Sequence, residues 1–206
     1  TEMMKKYLSL FLVACSIVVV FAKRNIIEIQ NMTRIALCTA ILCVSSYLVI
    51  PLPFTPIVFS MQTVMVNLIG LILKPKSAAL TILMYLCMGM IGLPVFSGGS
   101  AGIGKLIGPT GGFYFGFFFA VIVISLFKGK KPNRIRYVMI TIGLGIPIQH
   151  FFAILFMCFY NGFQIKTALF TVSIPFLVGD IIKCVMASII AVELNRRFVN
   201  HSVTCT

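Results

Sequence analysis

Long apolar runs recur along almost the whole chain, and most of its charged residues fall in the gaps between them. A soluble fold has no use for so much apolar surface, whereas a helix in lipid satisfies its own backbone polar groups and can display apolar side chains on every face. Sixty per cent of residues are hydrophobic and only 10% charged, with mean hydropathy +1.08, against about a quarter charged in soluble domains. The sequence therefore predicts an all-α integral membrane protein. A net charge of +13 would suggest a nucleic-acid partner in a soluble chain. Here the basic residues sit at the ends of apolar runs, where cytoplasmic loops carry Lys and Arg, so the charge reads as topology and no nucleic-acid partner is expected.

Six spans can be marked: Met32 to Ile50, Val58 to Leu73, Ser77 to Leu93, Gly111 to Phe127, Tyr137 to Tyr160 and Leu169 to Leu194. An earlier run, Tyr7 to Ala22, is flanked by Lys5, Lys6, Lys23 and Arg24. As a helix it would reach only about 24 Å, short for a hydrocarbon core of about 30 Å. The organisation expected is an extra N-terminal apolar segment over 1–31 (anchor, signal-like or peripheral helix), a six-helix membrane domain over 32–197 and a cytoplasmic tail over 198–206. With six spans, twelve Lys and Arg residues fall on one side and only Lys105 and Lys166 on the other. The positive-inside rule then puts both ends of the six-helix unit in the cytoplasm.

Between the third and fourth spans lies Pro94 to Gly112, PVFSGGSAGIGKLIGPTGG, which holds seven of the sixteen glycines. Glycine permits positive φ and close backbone approach, so this stretch is expected to be a shaped external loop carrying function. It contains a near match to a phosphate-binding loop, Gly99 to Lys105, but Leu106 replaces the magnesium-binding hydroxyl and no strand precedes it, which excludes a nucleotide site. Pro51-Leu52-Pro53-Phe54-Thr55-Pro56 is a stiff, uncharged link expected to wall the same site.

Four acidic residues exist, and Asp180 alone lies well inside a span. A charge in hydrocarbon costs about 2.5 to 3.5 kcal/mol on insertion scales, so it marks function by default. Lys183, three residues on, shares its helical face. The pair is either a packing ion pair or a polar ligand site, the carboxylate accepting from N–H groups and the ammonium donating to oxygen. Lys105 reads as an external cation near the entrance. Gln62, Asn67, Tyr85 and Asn161 are further polar groups near span ends, and His150, with no metal-ligand spacing around it, reads as a hydrogen-bonded core histidine. Phe113 to Phe119 reads as packing or lipid-facing, with some aromatics available to line a pocket. The seven cysteines form no C-x-x-C pair and read as small packing residues, with no metal or cofactor expected. Ala36 and Ala40, one turn apart, offer a face that another helix could approach closely.

PLPFTPIVFSMQT, MGMIGLPVFSGGSAGIGKLIGPTGGFYFGF and PFLVGDIIK, in this order and spacing, resemble the BioY family, the biotin-specific S components of energy-coupling factor transporters. The resemblance covers about Met32 to Arg197. It implies a six-helix membrane bundle with an external substrate pocket and no ATPase of its own. It also implies partnership with a transmembrane T component and two ABC-type ATPases in a bacterial cytoplasmic membrane, with Ala36 and Ala40 matching the family's docking motif. On this reading Asp180 and Lys183 meet the ureido ring of biotin, the glycine loops and aromatics enclose its apolar ring, and Lys105 or loop amides at Gly98, Gly99, Thr110 and Gly111 meet its carboxylate. Gln62, Tyr85 and Asn161 complete the candidate substrate-binding set. The alternatives are a transporter acting without partners, an S component for another small vitamin, and an intramembrane enzyme. The enzyme fares worst because no catalytic constellation is present.

Overall fold

The computed structural model describes residues 29–50, 59–108, 110–129, 131–162, 164, 169 and 173–203, with the backbone alone at 50, 59, 161, 174, 175 and 198–203. The N-terminal apolar run, the proline-rich link and Lys166 lie outside the described residues.

Helix α1 (Ile29–Ser45) buries Ile35, Thr39 and Leu42 at helical spacing and turns Leu37, Ile41 and Val44 outward. It stops before the predicted end at Ile50. Val49–Ile50 (β1) instead pairs antiparallel with Phe59–Ser60 (β2), Val49 opposite Ser60 and Ile50 opposite Phe59. The expected span from Val58 accordingly becomes helical only at Gln62. The physical reason lies in Pro51, which biases the residue before it away from helix, and an apolar run alone does not separate a short strand from a helix turn.

Helix α2 (Gln62–Ile72) buries nearly every residue, as a helix enclosed on all sides must. Helix α3 (Pro75–Met90) opens on Pro75, where the missing N–H is not needed. The glycine-rich loop follows, interrupted by the short α4 (Ile103–Ile107), and leads into α5 (Gly111–Phe127), which coincides with the predicted span. The Asn133 side chain accepts from the amides of Ile135 and Arg136 and starts α6 (Arg134–Ile140). A π-helical turn, Thr141–Gly145, joins α6 to α7 (Ile146–Asn161) without a break. Pro147 cannot donate to a carbonyl one turn back, and the wider turn falls just before it. Helix α8 runs from Ile174 to Val203.

The most extensive helix pair is α5 against α7. Gly112 and Gly116, one turn apart, make it possible: a Cβ on Gly112 would stand 2.3 Å from the Phe152 carbonyl oxygen, and one on Gly116 2.9 Å from the Gln149 Cα. On the other flank α8 packs on α2, with Ala187, Ala191 and Val192 against Val64, Leu68 and Leu71. At the far end from the site, side chains satisfy the last carbonyls of this central helix and its cap. Ser125 and Lys128 donate to Leu73 O, and Asn195 donates to Leu71 O.

Many large apolar side chains face outward, among them Val44, Leu126, Met139, Phe151, Phe159 and Val178. Exposed apolar area on this scale needs an apolar surrounding. Among the described residues one helix, Arg134–Tyr160, is long and apolar enough by itself to cross a membrane, while Ile29–Ser45, Gln62–Ile72 and Gly111–Phe127 are shorter apolar helices.

Candidate binding site

Three helices and the glycine-rich loop converge on a cavity of about 80 Å³ that opens to the surface. Its lining joins Ser60 of β2 and Thr63 at the start of α2, Ser97, Lys105 and Thr110 from the loop, Phe113, Tyr114 and Phe117 from α5, and Phe176, Asp180 and Lys183 from α8. The lining thus combines four aromatic rings with hydroxyls and charged groups. That combination suits a compact ligand with an apolar body and a hydrogen-bonding edge.

Asp180 and Lys183 stand in successive turns of α8, both buried, with Lys183 Nζ donating to Asp180 Oδ1 at 3.0 Å. A buried carboxylate survives only with partners that offset its lost hydration. Its second partner comes from another helix: His150 on α7 places Nε2 3.1 Å from Asp180 Oδ2. An ionised carboxylate only accepts, so Nε2 carries the hydrogen. On the far side of the ring, Nδ1 lies 3.1 Å from the Ser173 hydroxyl. The sequence placed His150 as a hydrogen-bonded core histidine, and so it is. That its partner would be Asp180, thirty residues away, was hidden. The Gly112-x-x-x-Gly116 spacing signals only that α7 lies close to α5 at Gln149 to Ala153, and no sequence signal pairs His150 with α8.

The glycine-rich stretch is a loop fastened by main-chain bonds, two within itself and two to Ser46 after α1 and Gly89 in α3. Phe96 N donates to Ser100 O, Gly98 N to Ser46 O, Gly99 N to Phe96 O and Gly102 N to Gly89 O, all at 2.8 to 2.9 Å. Gly98 and Gly99 take φ of +74° and +71°, which an L side chain resists. The loop therefore presents Ser97 to the cavity. Ser97 N donates to the Tyr114 hydroxyl at 3.1 Å, and Ser97 Oγ donates to Gln62 Oε1 at 2.6 Å. Gln62 Nε2 donates in turn to the Tyr85 hydroxyl.

Of the predicted binding residues, Asp180, Lys183, Lys105 and Thr110 line the cavity. Gln62 and Tyr85 stand one layer behind it, supporting Ser97 and the Tyr85, Phe96 and Tyr114 ring cluster. The expectation that amides at Gly98, Gly99 and Gly111 await an anionic group needs correction. Gly98 N is taken by Ser46 O beyond the end of α1, Gly99 N by Phe96 O within the loop, and Gly111 N donates to Gly108 O at 2.8 Å. The glycines that made the loop conspicuous are spent on its shape. Asn161 ends α7, and its side chain lies outside the described residues. Ala36 is exposed and Ala40 half-buried on α1, away from the cavity. The residues that sequence reasoning missed are Ser97, Ser60, Thr63 and Ser173; single hydroxyls in an apolar chain carry no distinguishing pattern. Among the described residues no group of His, Cys, Asp and Glu could hold a metal ion.

The BioY family model matches residues 11–200. The chain belongs to the BioY family. The match reaches further towards the N-terminus than the resemblance described above, which covers about Met32 to Arg197. Among its relatives, biotin transporter BioY2 of Lactococcus lactis subsp. cremoris is 34% identical over 173 residues, covering 82% of this chain and 92% of the relative. Biotin transporter BioY of Thermotoga maritima is 32% identical over 167 residues, covering 81% and 96%. The fold is similar to the crystal structure of the S-component for biotin from an ECF-type ABC transporter, with TM-score 0.76 and 25% identity over 82% of this chain and 92% of that one. This BioY-family chain is therefore a helical membrane protein of the transporter class and not an enzyme.

Proposed function

We propose that this chain is the S component of an energy-coupling factor transporter, capturing biotin at the external membrane face and delivering it inward with a T component and two ABC-type ATPases. The observation that carries the reading is the buried Asp180–Lys183 pair at the wall of an aromatic-lined cavity in a BioY-family chain. Biotin offers what that wall would recognise. Asp180 accepts from a ureido N–H, Lys183 donates to the ureido oxygen, and Phe113, Tyr114, Phe117 and Phe176 cover the apolar ring. Lys105, at the loop side of the cavity, is the cation for the carboxylate tail. No ATP is bound by this chain itself; the hydrolysis belongs to the partner subunits.

In the membrane we read six spans, carried by α1, α2, α3, α5, the continuous α6–α7 helix and α8, with both ends of this unit cytoplasmic. The basic residues Lys74, Lys76, Lys128, Lys131, Arg134 and Arg136 support that orientation, falling at the ends of α2, α3, α5 and α6 opposite the cavity. The division at 31/32 and 197/198 into an N-terminal apolar segment, the six-helix unit and a cytoplasmic tail is a reading of the sequence; α1 begins already at Ile29 and α8 runs on to Val203. Ala36 and Ala40, on a face of α1 that leaves Leu37 and Ile41 exposed, are the docking surface for the T component.

Biotin titration of the purified chain tests the site. Asp180→Asn and Lys183→Ala each weaken binding about 10- to 100-fold, because each removes a hydrogen bond between the ligand and a charged group, at about 1.5 to 3 kcal/mol. Wild-type affinity in both variants sinks the assignment. For docking, Ala36→Trp and Ala40→Trp leave biotin binding intact and block uptake in cells carrying the coupling subunits. Uptake surviving both removes that face, and uptake without any coupling ATPase shifts the reading to a solitary transporter.

A further inference from the structure

We infer that His150 is a positioning residue for biotin binding: from α7, outside the cavity lining, it fixes the Asp180 carboxylate of α8 in the orientation that receives the ligand. This rests on the reading of Asp180 as the ureido acceptor. The terminal torsion of an aspartate is broad, so one partner does not fix the plane of its carboxylate. Lys183 sits on the same helix, and its long, flexible stem follows any swing of the group. The imidazole is different in each respect. It is planar and buried, it belongs to a separate helix, and it is gripped at its other nitrogen by Ser173. Its face is limited by the edge of Phe113, with ring centroids 6.1 Å apart and planes at 75°. Phe113 itself lines the cavity, so the positioning ring touches the ligand wall.

The sum of these contacts is a chain from Ser173 through His150 and Asp180 to Lys183, with one bond to each carboxylate oxygen. A carboxylate has about four acceptor sites. Two are taken by protein, one on each oxygen, and Asp180 lies in the cavity wall, where acceptor capacity remains for a ligand N–H. Without the bond from His150, Oδ2 would be free to turn towards Lys183 or away from the cavity. Each ligand molecule would then have to restore the orientation on binding, and affinity would fall without any ligand contact being lost. The helix that carries His150 is packed against α5 at backbone distance along Gly112 and Gly116.

The test uses the full-length purified chain and biotin itself. His150→Phe keeps a ring against Phe113 but has no donor, whereas His150→Gln can place an amide N–H where Nε2 stood. Biotin affinity is expected to fall about 10- to 100-fold in His150→Phe and to stay within about threefold of wild type in His150→Gln, with thermal stability altered alike in the two. In an Asp180→Asn background, His150→Phe adds no further loss, since both act through one carboxylate. Wild-type affinity in His150→Phe, equal losses in Phe and Gln variants, or independent multiplication of the His150 and Asp180 effects each overturn the inference. Wild-type affinity in Asp180→Asn alone fails the underlying site reading instead, and so separates the two.

Discussion

The two sides of the cavity are built by opposite means. Along α8, a few costly side chains hold one another: Asp180 between Lys183 and His150, with the backbone in ordinary helix throughout. Across from it, the glycine-rich loop is held by main-chain bonds, and its side chains are mostly small. The first design makes affinity depend on side-chain identity and leaves the backbone indifferent. The second reverses that dependence, so substitutions at the two sides should separate cleanly.

The largest expected effect comes from breaking the seam that serves both. Gly112→Val drives a branched side chain into the Phe152 carbonyl and the Phe156 side chain. Overpacking costs about 1 to 3 kcal/mol or more, and backbone cannot yield as a side chain does. We expect a markedly lower melting temperature in detergent and loss of biotin binding; unchanged melting would show that α5 and α7 can separate freely. Next comes the loop. Gly98→Val forces a β-branched residue to positive φ at about 1 to 3 kcal/mol, whereas Ser97→Ala removes only a hydroxyl that leans on Gln62. Biotin affinity should fall about tenfold in the first and about threefold or less in the second. The reverse order would mean that the loop binds through its side chains, as the helical side does.

The smallest effect lies outside both sides and serves as their control. Burial pulls the Lys128 ammonium down to about 8. Below that value the folded state carries a buried charge, and between about pH 8 and the ordinary lysine value of about 10.4 the unfolded chain binds more protons than the folded one. Stability should therefore rise with pH across that window, and Lys128→Met should flatten the rise in detergent melting while leaving biotin affinity unchanged. A changed affinity would tie this remote end to the site.

Much of this was legible in the sequence, for reasons that differ by residue. A charge in an apolar run is expensive, so Asp180 and Lys183 announced themselves, and their spacing of three gave their common face. The glycine cluster announced a loop, and the end of α5 at Phe127 followed from the basic residues after it. What stayed hidden were relations across the fold. His150 differs from any buried histidine only by which helix lies opposite. The amides of Gly98 and Gly99 looked available because glycine signals backbone freedom, yet that freedom was used to close the loop. The helix limits near Pro51 were misplaced because hydrophobicity marks a span without marking where the chain extends.

Along the helix that carries His150, the buried positions Tyr137, Thr141, Gly145, Gln149, Ala153 and Met157 recur with a stride of four. An α-helix completes its turn in 3.6 residues, so each stride of four overshoots by about 40°. Over five strides a uniform α-helix would carry its last inward residue round to the outside. The π turn at Thr141–Gly145 takes more residues per revolution and gives part of that rotation back just before Gln149 and His150. The imidazole's aim is therefore set by a phase correction one turn earlier, so that adding or removing a single residue there would swing the ring off the carboxylate while leaving every residue of the site in place.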